Sequence, residues 1–201
     1  MKQFARLVVV ACASAALEVL LGTSPAKGDD KELKVGDKAP TLESVDENGK
    51  PWKSSDIVGK KILVLYFYPA DFTGGCTAQA CGFRDNIDAL KSKDVEVVGV
   101  SADTPKTHQM FKKYHKLTFT LLSDEKGELA KRFGVKVSPK EGKANGFDEQ
   151  GNKVEVIRPA TISRVTVVID KMGRVAAIDA ISKPGEDAKR IAEIVQKLDK
   201  K

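Results

Sequence analysis

Histidine occurs twice and cysteine three times among the 201 residues. The spacing between His108 and His115, and the long gap from there back to the cysteines, match no usual zinc ligand set. No metal is therefore expected. Basic residues exceed acidic ones by 34 to 28, and the resulting +6 charge is spread along the chain, with no long basic block. Nucleic-acid binding, which needs a clustered basic stripe, is not expected either. Past the N-terminus no apolar run approaches the ~20 residues of a membrane span. Repeats and low-complexity tracts are also missing. What remains has the composition of an ordinary soluble chain, long enough for one well-cored domain and an extension.

The extension is residues 1–26. Lys2 and Arg6 precede an uncharged stretch over residues 7–17, and Ser24 and Ala26 supply the small residues of a processing site. This is the layout of a secretory signal peptide, so export is expected, to a periplasmic or other extracytoplasmic space, with no stable membrane insertion after removal of the leader. Glu18 intrudes just past the apolar stretch. Cys12 resembles a lipoprotein cleavage site, but the apolar stretch before it is short. Residues 27–34 are charged and unpatterned, a linker. Residues 35–201 are the expected globular domain.

With the leader gone, only Cys76 and Cys81 remain. They follow an apolar strand and open a helix. A thiol in a first helical turn feels unpaired N–H groups and the positive end of the helix dipole, and both favour thiolate. Spacing alone leaves two options open, a structural disulfide or a reactive pair. Positions i and i+5 of a helix have Cα atoms roughly 8–9 Å apart. A disulfide needs less than ~7 Å. Bonding would therefore unwind the helix start, which suits a switching redox pair better than a staple.

The remaining pattern is regular. A turn at residues 47–50 joins two short extended pieces. Ile62–Phe67 and Val95–Ser101 are continuous apolar runs, hence strands buried on both faces. Between them Ala80, Phe83, Ile87 and Leu90 share a helical face. Thr104 caps a helix with Pro105 at its first position, and Met110, Phe111 and Tyr114 are its expected inner face. A strand over 118–122 and a helix over 128–133 follow. Residues 136–161 are polar and lack a sustained period, a long loop with room for a hairpin. Residues 164–170 and 174–181 form a hairpin, and Ile191, Ile194, Val195 and Leu198 stripe a closing helix. The expected class is α/β, a mixed sheet with helices on both faces. A strand that delivers a reactive cysteine to a helix N-terminus within this order suggests a thioredoxin-like fold.

Around Cys76, Pro69 fixes the backbone at the strand end and removes an N–H from the pocket wall. Thr73 places a hydroxyl one turn from the thiol, able to donate and accept. The pattern Pro69-x-x-x-Thr73-x-x-Cys76 resembles the signature of the peroxiredoxins, specifically their Q-type, or bacterioferritin-comigratory, branch. Cys81 stands where that branch has its resolving cysteine. Arg164-Val165-Thr166 is similar to the family's segment carrying the active-site arginine. The resemblance spans residues 35–200. It departs from the family at Gly74-Gly75, where Pro-Gly is usual, and in the length of residues 136–161. Arg84 and Arg158, the other nearby cations, are expected to be solvated.

The resemblance implies a thiol peroxidase without flavin, haem or other cofactor. Cys76 would attack a hydroperoxide, Cys81 would condense with the sulfenic acid, and a thioredoxin-like protein would reduce the disulfide. A monomer is expected. Two other readings are an exported thioredoxin-like disulfide oxidoreductase and a non-catalytic binding protein with a fixed disulfide. The first would normally carry Cys-x-x-Cys, and this chain has four residues between its cysteines.

Overall fold

The computed structural model describes residues 33–181 and 183–198. The leader, Cys12 and nearly all of the linker lie outside these residues. The turn at 47–50 joins β1 (Glu43–Asp46) to β2 (Pro51–Lys53), antiparallel, with Ser44 opposite Trp52. β3 (Ile62–Phe67) is buried at every position, as its continuous apolar run requires. Two helices follow it, α1 (Gly74–Asp85) and α2 (Ile87–Lys91). The apolar face expected as one helix is thus broken at Asn86, whose side chain donates to the Gly82 carbonyl at 2.8 Å. β4 (Val95–Ser101) and α3 (Pro105–Tyr114) come next, and the Thr104 hydroxyl accepts from the Thr107 N–H at the start of α3.

β5 (Thr120–Ser123) and α4 (Glu128–Arg132) are slightly shorter than their apolar patterns. The long polar segment is not structureless. It contains β6 (Val137–Ser138), a hairpin of β7 (Gly142–Phe147) and β8 (Lys153–Arg158), and the first residue of β9 (Thr161–Ile162), with β6 paired to β9. β10 (Val165–Ile169), β11 (Val175–Ala180) and α5 (Asp187–Leu198) complete the order.

Seven strands form one mixed sheet in the order β11-β10-β3-β4-β5-β1-β2. β3, β4 and β5 are parallel, and β10 runs antiparallel to β3. Alternation along β3 sends Ile62, Val64 and Tyr66 to one face, with Phe83, Leu90, Phe111, Ile191 and Val195 of the helices packed there. Leu63, Leu65 and Phe67 enter the opposite core, with Leu129, Ala130 and Phe133. Burying each such side chain contributes ~1.5–3 kcal/mol, which accounts for the helices on both faces. Gly99, opposite Tyr66, makes room for that ring: a Cβ there would sit 2.6 Å from the Tyr66 hydroxyl. One expectation on α3 fails. Phe111 is buried, but Met110 is only half-buried and Tyr114 is 46% exposed. Tyr114 instead stacks on Phe147 of the β7–β8 hairpin, ring centres 4.5 Å apart, and Thr107 and His108 fill the inner face.

Candidate active site

The Tyr68 N–H still bonds to the Val100 carbonyl, at 3.0 Å, and prolongs the ladder one residue past β3. Pro69, half-buried, has no N–H with which to continue it, and the chain turns away. Asp71 is pinned by its backbone N–H to the Asp103 carboxylate at 2.9 Å and by its side chain to Tyr68 and His108, each at 2.8 Å. Phe72 takes a left-handed backbone, φ 57°, uncommon for a bulky residue. Its ring lies against Phe111, and Gly146 of β7 leaves space for it, since a Cβ there would be 2.9 Å away. The inserted hairpin therefore braces the loop that leads into α1.

Thr73 is the extended residue before α1, and its hydroxyl donates to the Ala70 carbonyl at 3.0 Å, which leaves the oxygen free to accept. Thr77 makes the first bond of the helical ladder, to the Thr73 carbonyl at 2.8 Å, so the N–H groups of Gly74, Gly75 and Cys76 precede it. Cys76 is 1% exposed in this first turn. Arg164 stands one residue before β10, where the register of Val165 against Phe67 brings it beside the end of β3. Its Nη2 donates to the Cys76 sulfur at 3.2 Å. A fixed guanidinium at that distance stabilises negative charge on sulfur.

Pro69, Thr73, Cys76 and Arg164 thus meet at one end of the sheet. Cys81 lies further along the same helix, half-buried, and both thiols are free. Gly74-Gly75 forms a normal first turn. A Cβ at Gly75 would lie 3.3 Å from Arg164 Nη2, so a small residue suits the close approach of the guanidinium. The other two arginines are not simply solvated. Arg84 donates to the His115 carbonyl at 2.7 Å and to Asp85 at 2.9 Å, and Arg158 donates to the Thr161 hydroxyl at 3.3 Å.

Sequence reasoning missed the residues behind Arg164. Gln79 accepts from Arg164 Nη1 at 2.5 Å and donates to Asp187 at 2.7 Å, and Thr166 donates to the same carboxylate oxygen at 2.7 Å. Burial raises the Asp187 pKa, opposed by these two bonds and by the Arg164 charge. Helical spacing offered one signal: Gln79 lies three residues after Cys76, on the same face. Asp187, far away in sequence, offered none. His108, considered for zinc, is instead a buried partner of Asp71, its Nε2 3.2 Å from the Leu122 carbonyl.

The AhpC/TSA family pattern matches residues 35–178. The chain belongs to that family. Peroxiredoxin Bcp of Bacillus subtilis is 42% identical over 142 residues, 71% of this chain and 82% of its own length. Peroxiredoxin bcp1 of Schizosaccharomyces pombe is 39% identical over 152 residues, 73% and 77% of the two chains. Among solved structures, peroxidoxin BcpB of Mycobacterium tuberculosis superposes with a TM-score of 0.68 at 28% identity, covering 83% of this chain and 99% of its own. The bacterioferritin comigratory protein of Xanthomonas campestris, described for alkyl peroxide reduction activity, gives 0.63 at 25% identity over 78% and 91%. The fold is that of a thioredoxin-like peroxiredoxin of the Bcp branch. The protein is accordingly a thiol-dependent peroxidase that acts on hydroperoxides and is served by a thioredoxin-like reductant.

Proposed function

We propose that Cys76 is the peroxidatic cysteine, Cys81 the resolving cysteine, and Pro69, Thr73 and Arg164 the groups that shape and charge the pocket. The observation that carries this is the Arg164 guanidinium 3.2 Å from a buried sulfur in the first turn of α1. The Cys76 thiolate attacks the terminal oxygen of the hydroperoxide and the O–O bond breaks. The departing oxygen takes a proton and leaves as water or alcohol, and sulfenic acid remains on Cys76. Arg164 and the N–H groups at the helix start stabilise the charge that moves onto oxygen, and Thr73 orients the peroxide. Cys81 then displaces water from the oxidised sulfur, after the first turns of α1 unwind to bring two positions ~8–9 Å apart within bonding reach. A thioredoxin-like dithiol reduces the disulfide by exchange.

Organic hydroperoxides are included as substrates, supported by the activity described for the Xanthomonas relative. Stopped-flow oxidation of the reduced protein by hydrogen peroxide and by bulkier hydroperoxides tests the reading. Fast oxidation by both classes is expected. A Cys76→Ser variant that consumes peroxide as well as the parent would overturn it. The reading further takes the enzyme to act as an exported monomer. The leader pattern of residues 1–26 supports export. N-terminal sequencing of the extracytoplasmic protein and sedimentation analysis test the two parts.

A further inference from the structure

Asp187 opens α5 with its side chain buried, and a buried carboxylate requires partners. Its Oδ2 accepts from Gln79 Nε2 and from Thr166 Oγ1, both at 2.7 Å. Its Oδ1 lies 3.8 Å from the Arg190 guanidinium, which is also paired with Asp179. On the other side of Gln79, the amide oxygen accepts from Arg164 Nη1 at 2.5 Å, and Arg164 Nη2 reaches the Cys76 sulfur at 3.2 Å. Chemistry dictates the direction of every link. A carboxylate only accepts and a guanidinium only donates, so the amide between them must turn its NH₂ to Asp187 and its oxygen to Arg164. With the amide reversed, two donors would face each other at Arg164 and two acceptors at Asp187.

We propose that Asp187 is a positioning residue for the peroxidatic site: by fixing the Gln79 amide it holds Arg164 on the Cys76 sulfur. This rests on the reading of Cys76 as the peroxidatic cysteine. A second consequence follows from where Gln79 sits. It lies between Cys76 and Cys81 on α1, in the stretch that must unwind for the disulfide to form. The bond to Asp187 therefore ties that stretch to α5. The same link favours the peroxide step and restrains the disulfide step.

Asp187→Asn keeps the size of the side chain but accepts either orientation of the Gln79 amide. In stopped-flow oxidation by hydrogen peroxide it is expected to slow the loss of the Cys76 thiol about tenfold, while disulfide formation from the sulfenic acid speeds up. Placed in a Gln79→Ala background, the same change should alter the oxidation rate by less than about twofold, because its route to Arg164 is already cut. Asp187→Ser serves as a second variant, and whichever retains the parental near-UV circular dichroism decides. Equal slowing in both backgrounds would overturn the inference, since Asp187 would then act through the packing of α5. A parental rate in Asp187→Asn would also overturn it, with the peroxidase reading intact. A parent whose Cys76 thiol survives peroxide would instead overturn the reading of Cys76, and the inference with it.

Discussion

At the scale of single residues, the proposed chemistry rests on the contact between Arg164 and Cys76. Removing the guanidinium leaves the sulfur at the helix start but takes away its nearest full positive charge. Arg164→Ala is expected to fold and to lose about tenfold or more in the rate of Cys76 alkylation and of peroxide oxidation at neutral pH, each tenfold being ~1.4 kcal/mol of barrier. Alkylation at the parental rate across pH would show that another cation does this work. Cys81→Ser tests the other sulfur. Its Cys76 keeps every contact described above, so one equivalent of peroxide should still be reduced quickly, while turnover with a thioredoxin-like reductant stops. Excess peroxide should then drive Cys76 to sulfinic or sulfonic acid, detectable by mass spectrometry. Full multi-turnover activity would show that an external thiol resolves the intermediate. The convergence of Pro69, Thr73, Cys76 and Arg164 was legible in the sequence because three lie within eight residues at the strand-to-helix turn and the fourth directly precedes an apolar strand. Gln79 and Asp187 were not, because a polar residue reveals its buried partner only when the fold brings together positions 108 residues apart.

At the scale of elements, the central strands carry the site. β3 and β4 were legible from their continuous apolar runs, which only a doubly covered strand requires. The break between α1 and α2 was hidden because the apolar face continues in phase across Asn86. The β7–β8 hairpin was hidden for a different reason: only Gly146 and Val156 of its strands are buried, too few to set a sustained apolar period across the segment. Close packing across the sheet supplies an element-scale test at Gly99. In an open strand Gly→Ala gains about 0.5–1 kcal/mol of backbone entropy. Here the added methyl would meet the Tyr66 hydroxyl at 2.6 Å and Leu121 at 2.7 Å, both in packed core. Overpacking of this kind costs about 1–3 kcal/mol, so Gly99→Ala should lower the urea midpoint. A raised midpoint would show that the core yields more easily than this geometry allows.

At the scale of the whole molecule, a buried polar cluster joins the loop before α1 to the middle of the sheet. Asp103 accepts from the Asp71 N–H and from the Ser101 hydroxyl, and Asp71 holds Tyr68 and His108. Burial, and then the nearby Asp71 charge, push the Asp103 carboxyl up from 3.8 to about 6. Burial by itself would lower His108, but the charge and hydrogen bond of Asp71, with Asp103 behind them, raise it on balance. Between 3.8 and about 6 the folded chain holds the Asp103 proton more tightly than the unfolded chain does. That contribution to stability is complete at the acid end of the window and is lost as pH rises through about 6. His108 acts in the same direction at higher pH. Urea unfolding of the parent and of Asp103→Asn should therefore show the parent losing ground to the variant from pH 4 to pH 7, by at most ~3 kcal/mol. A constant difference across that range would contradict the assignment.

The central claim is that Cys76 and Cys81, on one helix, form a peroxide-driven intramolecular pair. It is tested most directly by treating the fully reduced protein with one equivalent of hydroperoxide, then titrating its thiols and mapping its peptides. Loss of both thiols within the mixing experiment, with a Cys76–Cys81 linkage inside a single chain, is the predicted result. Thiols that persist in the presence of peroxide would contradict it.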